Sequence, residues 1–207
     1  MRIFKKFANL TIGTEEKKVN KSDLRVIKTE RNIQGSFLKL LEKKSFSEIT
    51  VQDILDEALI NRTTFYRHYD SKYDLVSKLN ETVMARFEQL LTSSLKNRSN
   101  PDLVFKSVEG MAENFRKDRN MIIALWRVRD EENDLYSEME RLMRDKFGGF
   151  LRKSADSEGD DIEYQTAIMT SMILTTFRYL LESEETHSVK ELTTQVNRLI
   201  RKHLLQV

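Results

Sequence analysis

The chain of 207 residues contains no cysteine, one proline, six glycines and one tryptophan. Without cysteine there is no disulfide, no thiolate metal site and no cysteine nucleophile. Scarce proline and glycine argue against a turn-rich β protein. With abundant Leu, Glu, Lys and Arg they favour helices throughout. The charge balance is nearly even, 35 Lys/Arg against 33 Asp/Glu, so bulk electrostatics names no partner. No hydrophobic run is long enough for a membrane span. The three histidines, His68, His187 and His203, are dispersed. There is no phosphate-cradling glycine loop and no metal-ligand cluster. The carboxylates lie on polar faces, where pairing any two as acid and base is arbitrary. The expectation is a non-enzymatic, all-α protein with neither cofactor nor metal, working in a reducing cytoplasm.

The richest stretch is Ile49 to Leu75, ITVQDILDEALINRTTFYRHYDSKYDL. Thr50 with Asp53 has the spacing of a capping box. Val51, Ile54, Leu55 and Ala58 then share one helical face. Leu59 and Ile60 form a turn, Asn61 caps a second helix from Arg62 to about Tyr69, and Ser71 with Asp74 opens a third. Two short helices joined by a tight turn make a helix-turn-helix hairpin, whose second helix suits the DNA major groove. Arg62, Thr63 and Thr64 stand at the end that meets base edges. Arginine pairs with guanine in a bidentate fork, and threonine offers a hydroxyl and a methyl. The plainer readings also apply. Thr50, Asn61 and Ser71 are caps first, Phe65 and Tyr69 are packing residues, and Arg67 is as readily a solvated charge as a phosphate contact.

The run T-F-Y-R-H-Y-x-S-K-x-D-L, preceded by T-V-x-D-I and A-L-I-N-R, resembles the N-terminal domain of the TetR family of bacterial transcriptional regulators. The likeness covers about residues 25–79. It implies base contacts from Arg62, Thr63 and Thr64. It implies phosphate contacts from Tyr66, His68 and Lys72, and from the helix start at Thr50. Two positions depart from the common pattern. Leu59 occupies a turn position where glycine is frequent, and a bulky residue there is costly if its φ is positive. Thr63 replaces a usual Gly or Ala.

Charge is distributed mildly in agreement. Residues 1–74 hold 15 Lys/Arg and 11 Asp/Glu, net +4, leaving 35 − 15 = 20 and 33 − 11 = 22, net −2, for the rest. Three segments are expected: a tail over 1–22, a helix-turn-helix DNA-binding domain over 23–79, and a larger helical regulatory and dimerisation domain over 80–207. Ile3, Phe4 and Phe7 beside Lys5 and Lys6 resemble the start of an export signal, but no continuous apolar stretch follows. The tail is either a disordered leader or a basic arm. A first helix is expected from about Asp23 to Lys43, capped by Ser22, with Lys28 and Arg31 as loose phosphate candidates. The helix opening at Ser71 has no breaker before Asn97–Pro101 and reaches about 37 Å, with Met84, Phe87, Leu90 and Leu91 facing a second core.

Further helices are expected at about 102–117, 120–129, 133–153, 160–183 and 187–205, with Gly148 and Gly149 weakening the third of these. Thr166 to Leu181 is apolar on nearly every side, which marks a helix buried all round. With the last helix it suits a four-helix bundle between two copies, which resembles the usual TetR-family dimer; the plainer reading is a central core helix of a monomer. A dimer implies a near-palindromic double-stranded DNA operator. Phe87, Met111, Phe115, Trp126, Met139, Met143 and Phe177 suit the lining of a small-molecule pocket; the plainer reading is core. The resemblance thus implies a dimeric repressor released by a small-molecule effector, with no membrane partner. Competing readings are a regulator controlled by a protein partner, or an architectural or division-linked DNA binder without effector.

Overall fold

In the computed structural model the described residues are 21–96, 110–154 and 161–183, with isolated helical positions at 191, 192, 194, 195 and 198. The expected tail, the expected boundary at 97–101, the start of the helix expected at 102–117, the expected polar loop before 161 and most of the helix expected at 187–205 lie outside them. Among the described residues every regular element is helical. The described parts divide into two units, one from Met1–Asn80 with Arg127–Asn133, the other from Glu81–Trp126 with Asp134–Val207.

In the first unit, α1 (Lys21–Lys43) packs on α2 (Val51–Ala58). Ile33, Phe37, Leu40 and Leu41 recur at helical spacing and are buried, whereas Val26 is 46 % exposed. Ser22 lies inside α1 rather than capping it. A single 3₁₀ turn, Phe46–Glu48, delivers Phe46 and Ile49 into the same core. The α3 helix is Arg62–Tyr66, shorter than its pattern suggests. His68 and Tyr69 both donate their backbone N–H to the Phe65 carbonyl, at 2.8 and 3.0 Å, which tightens and ends the helix. The α4 helix spans Lys72–Lys96. Its first turns bury Leu75, Val76 and Leu79 in this unit.

In the second unit, α4 buries Val83, Phe87 and Leu91, one turn apart on one face. Met84 and Leu90 are half-buried. The helical residues 110–116 lead to α5 (Arg119–Leu125), and α6 (Leu135–Ser154) and α7 (Ile162–Glu182) complete the described part. Both α5 and α6 pack on α7. Gly148 and Gly149 do not interrupt α6. The α7 helix is not buried all round. Thr166, Thr170, Leu174, Phe177, Leu180 and Leu181 face inward, while Tyr164, Ile168, Met172 and Tyr179 are 45–65 % exposed. Among the described residues no helix is long and apolar enough to cross a membrane.

The helix expected at 120–129 stops at Leu125, and Arg127–Asn133 is non-helical. Asp130 fixes the later part of this segment. Its Oδ1 accepts from the backbone N–H of Glu132 and Asn133, at 2.9 and 2.7 Å. Such an Asx turn competes with helix for the same backbone groups.

Candidate nucleic-acid interface

The hairpin is built by caps and by one strained turn. Thr50 and Asp53 close a reciprocal capping box: Asp53 N–H donates to Thr50 Oγ1 at 3.1 Å, and Thr50 N–H donates to Asp53 Oδ2 at 2.8 Å. Lys44 Nζ donates to Asp53 Oδ1 at 2.8 Å. That bond first, then the bonds from Thr50, hold the Asp53 carboxyl well below the usual carboxylate range. Asn61 Oδ1 accepts from Thr64 N–H at 2.8 Å and starts α3. Ser71 Oγ accepts from Asp74 N–H, and Asp74 Oδ2 accepts from the N–H of Asp70, one residue earlier than a standard box places it.

Between α2 and α3, Leu59 has φ 53° and ψ 46°, and its side chain is 91 % exposed. Leu59 N–H bonds to Asp56 O and Ile60 N–H bonds to Leu55 O, the double closure of a Schellman cap. Asn32 of α1 donates to the Ala58 carbonyl at 2.6 Å and steadies the same corner. The turn therefore does demand a left-handed residue, and burial of Leu59 gives nothing back. Leu59→Gly should raise stability by about 0.5–1 kcal/mol, the relief of left-handed strain less the extra freedom glycine has when unfolded. Urea denaturation of the full chain measures this; a loss of stability would show that the leucine is favourably held.

From this corner, Arg62, Thr63, Tyr66 and Arg67 project to solvent, and Thr64 is half-buried. They rest on Phe65, which is fully buried and meets Tyr66 edge-on at 5.5 Å. Tyr69 is buried, with its hydroxyl 3.1 Å from Gln34 Nε2 and 3.5 Å from Glu30 Oε1. His68 is half-buried, and its Nε2 is enclosed without a hydrogen-bond partner. Any outward contact from that ring therefore falls to Nδ1.

Lys72 has an unexpected setting. Its ammonium donates to the carbonyls of Phe46, Ser47 and Ile49, at 2.8, 3.3 and 2.7 Å, and lies 4.6 Å above the Phe46 ring. Three protons meet three carbonyls. Burial pushes the Lys72 pKa down, and the charge of Asp130 acts the other way. Lys72 thus staples the start of α4 to the turn that precedes Thr50. Its charge stands beside the carbonyl next to the α2 N-cap and adds to the positive end of that helix. Lys28 is exposed and Arg31 half-buried on α1. Sequence reasoning missed Asn32, Lys39 (3.2 Å from Glu57) and Lys44, which join α1 and its C-terminal end to α2. Each is an ordinary polar residue on a helix surface or turn, and no motif singles it out.

In the second unit the expected pocket residues are all buried. Phe87, Phe115 and Phe177 form a triad with ring centroids 5.7–6.4 Å apart, and Trp126 stands edge-on to Phe177 at 6.1 Å. Met111, Met139 and Met143 are buried in the same unit. Among the described residues no cluster of His, Cys, Asp or Glu has metal-binding geometry.

Comparison with known proteins agrees with the hairpin. Residues 38–79 match the family described as bacterial regulatory proteins, tetR family. An uncharacterized HTH-type transcriptional regulator of Bacillus subtilis (strain 168), YxbF, is 35 % identical over 79 residues, 38 % of this chain. That match spans about a fifth (21 %) of the relative's own length. A TetR transcriptional regulator from Streptococcus agalactiae 2603V has the same fold, with TM-score 0.58 and 23 % identity over 86 % of this chain and 97 % of that one. So does the TetR-family protein CprB from Streptomyces coelicolor, solved in complex with its operator sequence, with TM-score 0.51 and 20 % identity over 86 % and 89 % of the two chains.

Proposed function

We propose that this chain, whose residues 38–79 belong to the TetR family of bacterial regulatory proteins, is a dimeric transcriptional regulator that reads a near-palindromic double-stranded DNA operator through the Arg62–Thr64 end of α3. The observation that carries the reading is the hairpin. Two capped short helices project Arg62, Thr63 and Tyr66 outward from a fixed Phe65. Arg62 and the two threonines suit base edges, and Tyr66, His68 and the α2 N-terminus at Thr50 suit phosphates. Lys72 serves the same phosphate side by holding the turn before Thr50. The domain boundary falls near residue 80, within α4, which contributes to both units.

The dimer uses the exposed stripe of α7. Tyr164, Ile168, Met172 and Tyr179 follow one helical face and suit self-association of two copies in a helix bundle. Two recognition helices then address half-sites about one DNA turn apart. The second unit binds a small apolar effector among Phe87, Met111, Phe115, Trp126, Met143 and Phe177. Effector binding favours a state that cannot engage both half-sites, so repression is relieved by a population shift. The protein acts where the chromosome is, in the cytoplasm.

Selection of genomic fragments by the purified full-length protein at stated salt provides the operator. On that fragment Arg62→Ala should weaken binding by about 1–3 kcal/mol and relax preference at one base pair per half-site. Tyr66→Phe should weaken all sequences alike. Unchanged base preference in Arg62→Ala would remove the base-contact role of α3; selection of no near-palindromic fragment would remove the operator reading.

A further inference from the structure

Among the described residues, the inner face of α7 carries two buried hydroxyls that find no hydrogen-bond partner. Thr166 is 6 % and Thr170 0 % exposed, and neither hydroxyl has a hydrogen-bond partner. A mid-helix threonine ordinarily bonds the carbonyl four residues back when it has no other partner; these two do not. Trp126 is 7 % exposed, and its indole N–H is likewise enclosed and unpartnered. Burying such groups without partners is unfavourable, and native proteins rarely leave them so.

Their arrangement on the helix is ordered. Thr166 and Thr170 are one turn apart on the face that continues through Leu174 to Phe177. Phe177 stands seven residues beyond Thr170, about 10 Å along the axis, and carries Trp126 against its ring. At the threonine end, α6 presents Gly148. A Cβ built there would lie 3.6 Å from Thr166 Oγ1, so the glycine leaves about a methyl group's room beside that hydroxyl. The charge nearest the two hydroxyls is exposed rather than buried: Arg152 of α6 brings its Nη2 to within 3.4 Å of the same Cβ position, from the solvent side. The one charged residue of this unit that is nine-tenths buried, among the described residues, is Asp118, already paired with Arg86 at 2.6 Å. Arg119 directs its Nη2 to the Glu182 carbonyl, at the opposite end of α7.

We infer that Thr166 and Thr170 form the polar subsite of the effector site, for a neutral, elongated, largely apolar molecule that presents a hydrogen-bond-accepting oxygen to the two hydroxyls and lays its body toward Phe177 and Trp126. This rests on the small-molecule reading above and names the chemical class that reading leaves open. Among the described residues no cation is nine-tenths buried, and the guanidinium beside Thr166, that of Arg152, is exposed to water, so an anion gains little there; a pure hydrocarbon leaves the hydroxyls unsatisfied.

The only tryptophan in the chain, Trp126, reports binding directly. The full-length protein is titrated with 2-octanone, octanoate and octane at neutral pH while its emission is followed. A saturable shift is expected with 2-octanone, weaker binding with octane, and the weakest with octanoate. Thr170→Val and Thr166→Val keep the shape and remove the hydroxyl. Each should lower affinity for 2-octanone about three- to ten-fold, the effect of one hydrogen bond, and leave octane unchanged. Each variant should also unfold at the same or a higher temperature without any compound, since an unsatisfied buried hydroxyl is lost; this shows that the variants fold. No shift with 2-octanone up to its solubility, equal binding of octanoate, or 2-octanone affinity unchanged in both valine variants would overturn the subsite. The same compounds added to the protein on its selected DNA fragment separate the two readings. Threonine-dependent binding without DNA release leaves the subsite standing and removes the effector role. DNA release by 2-octanone that is unchanged in both valine variants does the reverse.

Discussion

Arg86→Met is expected to destabilise the second unit by about 3 kcal/mol, because it strands a carboxylate that water barely reaches. Arg86 Nη1 lies 2.6 Å from Asp118 Oδ2, and the Asp118 side chain is 6 % exposed. The same guanidinium donates to the Asn114 carbonyl and lies 4.8 Å above the Phe115 ring. One side chain of α4 thus satisfies a buried charge and a backbone carbonyl while covering part of the aromatic triad. Its pair is α4's own tie to the segment that opens α5. Urea denaturation of the full chain, followed by Trp126 emission, should show the loss in the transition of this unit. Removing both charges, in Arg86→Met with Asp118→Leu, should recover much of it, since a buried ion pair owes its importance chiefly to the harm of breaking it. A single-variant loss under about 1 kcal/mol would mean that water reaches Asp118 freely once Arg86 is gone.

Lys72→Met is expected to remove about 2 kcal/mol from the first unit, the net worth of charge-assisted bonds to three carbonyls in a half-exposed place. The effect on DNA should follow from position rather than from charge. The turn 46–49 loosens, the α2 N-terminus at Thr50 shifts, and affinity falls for all sequences alike. Because the three ammonium protons already meet Phe46, Ser47 and Ile49 carbonyls, the dependence of log K on log salt should keep its slope. A slope lowered by about one would instead make Lys72 a direct phosphate contact. Arginine is a poor substitute here, since a planar fork does not match three convergent carbonyls.

Much of this was legible without coordinates because it is local. A capping box needs only a threonine and an acidic residue three positions apart, and Thr50 with Asp53 form it. Helical periodicity marked Ile33, Phe37, Leu40 and Leu41 as core. A left-handed residue at 59 was suggested only by the glycine frequent there in the TetR-family pattern, and Leu59 adopts that conformation at φ 53°. The buried half of α7 was readable as apolar. Its exposed half was not, since Tyr164, Ile168, Met172 and Tyr179 look like core residues to any hydropathy argument. They stand outside because only one face of that helix meets α5 and α6.

What the sequence by itself determined is the set of interactions within a few residues: helices, caps, the tight corner, and the start of α3 at Arg62 and Thr63, both exposed. Those depend on backbone geometry and nearest neighbours. Only the tertiary structure decided where long side chains and distant segments go. Lys72, 23 to 26 residues from its carbonyls, became a staple rather than a free cation. Arg86 found Asp118 across 32 residues. Thr166 and Thr170, ordinary helix residues by pattern, became buried hydroxyls without partners. A hydrogen bond or a desolvated group is a property of positions in space, and a linear pattern carries no distance between residues that the chain itself keeps far apart.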